Sequence, residues 1–188
     1  NAGTGKTVSV TNISVTGADA PNYSFNTTAT TTADISQAPL AIAAQTASKT
    51  YSGTNTSSVL PVVTTSLGAG DTVSNLAQVF DSANAGARIL SVSSYTVNDG
   101  NSGNNYLPPT LSTANGTINT AALSVTANNA SKTYNGVIYS GGNGVAYNGF
   151  VNNETPSVLG GTLTYSGSSQ GAKNAGRYVI TPGGRTSG

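Results

Sequence analysis

A seven-residue segment of the chain occurs twice, 83 residues apart. Residues 47–53 read ASKTYSG and residues 130–136 read ASKTYNG. Recurrence at a fixed period is the signature of tandem modules, each a small folded unit that neighbouring units help to stabilise. The chain is therefore expected to contain copies of one fold. Other residues share the spacing: Tyr23 with Tyr106, Ile35 with Ile118, and Leu40 with Leu123.

The repeat also sets the expected module boundaries. Asn-Ala-Gly at residues 1–3 recurs at 84–86, and KTVSV at 6–10 aligns with RILSV at 88–92 after a gap of one residue. Residues 1–38 are thus predicted to be the C-terminal part of one module and residues 39–121 a complete module. Residues 122–188 are predicted to be a third module, either truncated or of a shorter type. The chain is expected to be a piece of a longer array.

The residue pattern within each module favours strands joined by tight turns. Apolar residues alternate with Thr and Ser around residues 8–15 and 90–97, where a bulge between Val92 and Tyr95 would keep the alternation in phase. Asn-Gly and Asp-Gly pairs, which tolerate positive φ angles, indicate turns at 99–100, 115–116, 135–136 and 143–144. Residues 163–165 and 178–180 are predicted to be late strands. The fold class is all-β, with the modules as small β-sandwiches or β-grasp-like sheets in an elongated array; residues 73–80 alone also fit a helix.

Composition excludes several classes of function. The chain has no His and no Cys, only 7% charged residues and a net charge of +1. Ser-His-Asp triads, cysteine nucleophiles and the usual zinc sites are therefore impossible. So weak a charge gives no field for nucleic acid, and no apolar run is long enough to span a membrane. We expect no enzyme activity, no cofactor, no metal, no nucleic-acid partner and no membrane insertion.

Ordered motifs along nearly the whole chain resemble a known repeat family. Residues 1–10 (NAGTGKTVSV), 17–23 (GADAPNY) and 33–35 (ADI) resemble the end of the YDG repeat of very large bacterial surface proteins, and residues 39–121 resemble a whole copy. The family usually has Asp where this chain has Ser52 and Asn135. Residues 122–188 resemble the related MBG repeat through 132–136 (KTYNG), 147–155 (YNGFVNNET) and 174–182 (NAGRYVITP).

The resemblance implies a repeat segment of a filamentous-haemagglutinin-like adhesin, secreted to the bacterial cell surface. Such repeats are all-β and act as stalks, spacers or adhesive elements in cell adhesion and biofilm. The family supplies no catalytic residue. The implied partners are adjacent modules or copies of the chain itself. The alternative function is a specific module that binds a host or matrix glycan or protein.

Four aromatic residues of the third module are the candidate ligand-binding residues: Tyr139, Tyr147, Phe150 and Tyr165. Aromatic faces are the physical route to binding sugars by stacking. The competing interpretation is that a small module spends its few aromatic side chains on its core.

Other motifs have a structural interpretation that we favour. The repeated Lys-Thr-Tyr is expected to be a strand with a buried Tyr and an exposed Lys, rather than a ligand contact or the site of an isopeptide bond. Residues 99–105 (DGNSGNN) are expected to be an Asx-rich turn rather than a calcium loop, because no later bidentate acid follows. Residues 27–32 are expected to be a solvent-facing strand rather than an ice-binding threonine array.

The incomplete terminal modules predict self-association. Residues 1–38 of one chain are expected to complete the C-terminal module of another, head to tail through an exposed sheet edge. A shorter module that closes by itself is the competing explanation.

Overall fold

The computed structural model describes residues 1–187 and confirms an all-β chain. Its strands are β1 (Gly3–Thr11), β2 (Thr28–Ile35), β3 (Ala41–Ala43), β4 (Ala47–Thr50), β5 (Val62–Val63), β6 (Thr72–Phe80), β7 (Gly86–Asn98), β8 (Thr110–Ser112), β9 (Ala114–Asn119), β10 (Ser124–Ala127), β11 (Val145–Asn148), β12 (Leu159–Ser166) and β13 (Thr181–Ser187). The helical turns among the described residues are two short 3₁₀ segments, Ala20–Asn22 and Pro156–Val158.

The chain divides into two compact units whose limits do not follow the module boundaries. The first unit comprises Asn1–Ala47, Thr56–Asp81 and Arg88–Gly116. The second comprises Ser48–Asn55, Ser82–Ala87 and the described residues from Thr117 onward. Residues 48–53 of the first copy of the repeated motif therefore fold with the second unit, whereas Ala47 and the segment from Thr56 onward belong to the first.

The complete module contains two sheets. The smaller has the order β5-β3-β8, in which β3 and β8 run parallel and β3 and β5 antiparallel. The larger has the order β4-β9-β7-β6. Because β8 and β9 are separated by one residue, the chain passes directly from the smaller sheet to the larger. Residues 1–38 supply a separate antiparallel hairpin, β1-β2.

The core of the first unit lies between residues of both sheets. Leu40, Ile42 and Tyr106 are buried there. Side chains of the larger sheet pack against them, among them Val73 and Val92. Two sheets that share one core are the arrangement of a β-sandwich.

The ambiguous segment 73–80 is a strand, so the helical alternative is wrong. Strand β6 pairs antiparallel with β7, with Phe80 opposite Leu90 and Gln78 opposite Val92. Ala77 lies opposite Ser94, which leaves one extra residue on β7 between Val92 and Tyr95. The predicted bulge is therefore present. Pairing with β7 thus decides between helix and strand for a short apolar segment, which periodicity alone could not do.

The turn predicted at residues 115–116 is wrong, because both residues lie inside β9. Gly116 is required because a larger side chain would not fit at this position. A Cβ at this position would lie 2.7 Å from Leu90 Cδ1 and from Phe80 Cε1. The glycine lets β9 approach the two buried side chains closely.

Two antiparallel strand pairs lie within the second unit. Strand β10 pairs with β11, and β12 pairs with β13 around an irregularity between Gly161 and Thr164. The strand predicted at 178–180 is wrong, since β13 begins at Thr181. The amide of Val179 donates to Ser168 Oγ and its carbonyl accepts from Ser169 N–H, so a neighbouring turn uses these groups instead of a sheet.

Candidate functional site

The two copies of the repeated motif form the same turn. Lys49 Nζ donates to the carbonyl of Thr54 at 3.0 Å, and Lys132 Nζ donates to the carbonyl of Val137 at 2.6 Å. Each lysine thus binds the carbonyl five residues further along. The motif glycines have equivalent positive angles, φ 73° at Gly53 and φ 77° at Gly136. In each copy the lysine ammonium closes the turn by this hydrogen bond. The glycine of the turn has a positive φ angle that other residues adopt only with strain.

The strand expected at this motif is present in one copy only. Lys49 lies in β4, whereas residues 129–139 form no strand. Tyr51 is half-buried, but Tyr134 is 65% exposed. The prediction of a buried motif tyrosine is thus wrong for the second copy. The difference leaves an aromatic ring on the surface of the second unit.

A cleft of about 490 Å³ adjoins this exposed ring. Two segments line it, residues 129–139 and residues 169–180. Its chemically distinctive side chains are three cations and three tyrosines: Lys132, Lys173, Arg177, Tyr134, Tyr139 and Tyr178.

Hydrogen bonds fix the shape of both walls. The amide of Tyr139 donates to the carbonyl of Ala172 at 2.8 Å, which joins one wall to the other. The hydroxyl of Tyr178 donates to the carbonyl of Asn174 at 3.0 Å. A Cβ at Gly176 would lie 3.2 Å from that hydroxyl, so the glycine lets the ring lie against its own turn. The walls are thus held by the fold.

The cleft is cationic in a chain that has little charge. Three of the seven Lys and Arg residues line it, and its lining contains no Asp or Glu. Lys132, Lys173 and Arg177 are exposed. Ammonium and guanidinium groups beside tyrosine rings suit a ligand that carries carboxylates or sulfates on sugar rings.

The four predicted aromatic residues do not form one site. Tyr139 lines the cleft, and the lining includes none of the other three. Tyr147 and Phe150 pack on each other with ring centroids 5.6 Å apart. The hydroxyl of Tyr165 accepts a hydrogen bond from the amide of Gly144, and its ring lies against Gly142. Tyr147, Phe150 and Tyr165 thus make contacts within the second unit.

Most of the cleft was missed by reasoning from the sequence. Lys173, Arg177 and Tyr178 lie in or beside the third Asn-Ala-Gly, at residues 174–176. The signal available was that two repeated motifs occur in the same module, each with a cation and a tyrosine. The sequence did not show that residues 132–134 and 173–178 face the same space.

The loop at residues 99–105 is the Asx-rich turn that was expected. The carboxylate of Asp99 accepts hydrogen bonds from the amides of Asn101, Gly103 and Asn105 at 2.8, 2.8 and 2.9 Å. Burial of the carboxyl raises its pKa, but the amides outweigh this effect and hold the pKa of Asp99 below its ordinary value. A carboxylate used in this way organises the loop backbone.

Strand β2, which contains most of the threonine run 27–32, is exposed along its whole length, as predicted. The described residues contain no group of three or more acidic residues able to hold a metal ion. No helix among residues 1–187 is long and apolar enough to cross a membrane.

Comparison with known protein families gave two matches that together cover most of the chain. Residues 36–114 match the YDG domain, and residues 123–188 match the MBG domain of the YGX type. The matches begin next to the predicted module starts at Pro39 and Ala122. Comparisons with curated proteins and with solved structures found no match.

Proposed function

Because this chain carries a YDG domain followed by an MBG domain, we propose that it is a repeat segment of a secreted bacterial surface adhesin. In this proposal the segment is a stalk or spacer that gives reach in attachment or biofilm, and it performs no chemistry. Its partners are adjacent modules or copies of itself.

The observation that carries the proposal is that one turn is built twice. Lys49 and Lys132 each bind the carbonyl five residues further along, at positions 83 residues apart. A turn that recurs with the period of the modules serves the shared fold rather than one ligand. The low charge also suits lateral contact between modules, since little electrostatic repulsion opposes it.

A reach experiment tests the spacer role. An unrelated domain of known ligand is attached to beads either directly or through this chain, and capture on a ligand-coated surface is measured under flow. A spacer is expected to increase capture, and an unrelated folded chain of 188 residues is the matched control for length. Equal capture with and without the chain would contradict the role.

A second candidate function is binding of an anionic glycan, and the cleft favours it. The three cations and three tyrosines on its walls meet no carboxylate there. Binding by one cleft is expected to be weak and to need many copies, as avidity compensates for low affinity.

Polygalacturonate and dextran distinguish the two candidates when the chain is multimerised on fluorescent beads. Glycan binding predicts saturable retention on polygalacturonate that falls with added salt, and none on uncharged dextran. Arg177→Gln and Tyr134→Ala should each abolish retention, whereas the exposed residues outside the cleft serve as controls in Lys6→Gln and Tyr23→Ala. A folded sample that gives no retention contradicts glycan binding and leaves the spacer role in place.

Head-to-tail self-association belongs to the same proposal. Light scattering over a wide concentration range measures it, because chains that associate gain mass as concentration rises. A monomer at every concentration would contradict association between copies of this chain.

A further inference from the structure

The N-terminal hairpin β1-β2 exposes residues whose repeat counterparts form the core. Val8, Tyr23 and Ile35 are 42%, 69% and 53% exposed. Their counterparts are buried: Leu90, Tyr106 and Ile118 are 0%, 5% and 1% exposed. Equivalent residues thus lie in opposite environments in the two copies.

The difference arises from the strands that flank each copy. Strand β1 is the counterpart of β7, and β2 is the counterpart of the β8–β9 region. In the complete module, β9 and β7 lie between β4 and β6. The hairpin forms a sheet of two strands, so among the described strands nothing pairs with its outer edges. A lone hairpin is marginally stable, and an exposed edge is a template for another strand.

We propose that this hairpin binds the N-terminal half of another YDG module, equivalent to residues 39–83, with a β6-type strand added to the free edge of β1. The proposal deepens the role in a repeat array and rests on it. The occupant follows from the repeat, because residues 39–83 are the part of the module that covers β7 and β9 in the complete copy.

The pairing of β6 with β7 fixes the expected register. Phe80 lies opposite Leu90, and Gln78 lies opposite Val92. The counterparts on the hairpin are Val8 and Val10. The incoming strand is therefore expected to place its Phe80 equivalent opposite Val8 and its Gln78 equivalent opposite Val10.

The apolar side chains of the hairpin are compatible with this occupant. Strand β2 is polar and exposed along its length, whereas the residues that match the module core are Val8, Val10, Tyr23 and Ile35. Val63, Leu67, Val73 and Leu76 of residues 39–83 pack against the core that contains Tyr106 in the complete module. The hairpin thus offers the incoming half-module the same kind of side chains as the complete copy.

The test joins a second copy of residues 39–83 directly to Asn1 of the full chain. This junction keeps the repeat spacing, because residues 1–3 match residues 84–86. Amide hydrogen exchange is measured over residues 3–35. Binding predicts exchange slowed by about tenfold or more relative to the unextended chain, because a paired strand opens less often. Val8→Ser in the extended chain should reverse the effect, and Thr7→Ser is the matched control.

A second measurement covers the case in which the extended chain folds poorly. A synthetic peptide of residues 70–82 is titrated into the isotope-labelled full chain. Chemical shift changes are expected for residues 3–35 and not for the cleft residues. Unchanged exchange in a folded extended chain, or no shift changes with the peptide, overturns the proposal.

Protection of residues 3–35 that rises with concentration in the unextended chain would also overturn this choice of occupant, because the hairpin edge would then be covered by another copy of the chain, as in the head-to-tail association proposed above. The reach experiment does not involve this hairpin edge. Failure of docking and failure of the spacer role can therefore be told apart.

Discussion

The hydroxyl of Tyr51 donates a hydrogen bond to the carboxylate of Glu154, although the two residues are 103 positions apart. The turn that carries Tyr51 also lies close to the same segment, because a Cβ at Gly53 would be 2.5 Å from the side chain of Asn152. Tyr134, the counterpart of Tyr51, is 65% exposed. One repeated tyrosine therefore stabilises the second unit while the other remains on its surface.

Removing the Tyr51 hydroxyl is expected to destabilise the protein at neutral pH. Tyr51→Phe leaves the half-buried Glu154 without this donor, whereas Tyr134→Phe removes an exposed hydroxyl and should have almost no effect. Denaturant unfolding of the two variants measures the difference. Equal stability of both variants would contradict the role of the Tyr51–Glu154 bond.

Alkaline pH is expected to weaken the same interaction. The hydrogen bond to Glu154, with burial, raises the pKa of Tyr51 above its ordinary value of 10.0. A raised pKa contributes stability below about pH 10, which is lost as pH rises through the folded-state pKa. Unfolding measured from about pH 8 to about pH 12 should therefore show a smaller alkaline loss for Tyr51→Phe than for the wild type.

Acid is expected to loosen the loop that Asp99 organises. The pKa of Asp99 is below its ordinary value of 3.8, so its contribution is present above that pH and lost as pH falls through the folded-state pKa. Asp99→Asn should lower stability at pH 7 and reduce the acid dependence. Asp19→Asn is the control, because Asp19 is exposed and its side chain does not cap the following turn. Acid unfolding is followed by circular dichroism. An Asp99→Asn profile identical to that of the wild type would contradict this role of Asp99.

Gln78 is expected to be essential for the first unit. Gln78 is buried, and its Oε1 accepts a hydrogen bond from the backbone N–H of Gln45 at 2.7 Å. Its Nε2 donates to the backbone carbonyl of Gln45 at 2.8 Å. Gln78→Leu keeps the size but leaves two backbone groups unsatisfied, so the free energy of unfolding should fall by about 2–4 kcal/mol. Gln170 makes the same two bonds with Gly141 but is only half-buried, so Gln170→Leu should cost less. The reverse order in denaturant unfolding would contradict this ranking.

A methyl group at Gly116 is expected to overpack the core. Its Cβ would lie 2.7 Å from Leu90 and Phe80 and 2.9 Å from the carbonyl oxygen of Ala47. Gly116→Ala should lower the free energy of unfolding by about 1–3 kcal/mol. Gly183→Ala is the control, because the nearest atom to its Cβ is 3.5 Å away. Thermal unfolding of both variants measures the difference in stability. Equal melting temperatures would contradict the prediction and show that the core relaxes around the added methyl group.

The sequence was informative about local structure and less so about the candidate site. The bulge between Val92 and Tyr95 and the Asp99 turn follow from short-range patterns. The Asn115-Gly116 pair was misleading, because its glycine serves a close approach to Leu90 rather than a turn. Of the cleft aromatics only Tyr139 was predicted. Tyr134 was expected to be buried, and Tyr178 lies on the opposite wall, which only the fold brings beside Tyr139.

The sequence by itself determined that the chain is all-β and that it is built of repeat-type modules. Periodicity and glycine turns act over a few residues, so they can be seen without a structure. Only the tertiary structure decided which copy of each repeated residue is buried. Tyr106 is in the core while Tyr23 is exposed, and Tyr51 has Glu154 as a partner while Tyr134 faces the cleft. Burial depends on chain segments that are distant in sequence, and these differ between copies even where the motif is the same.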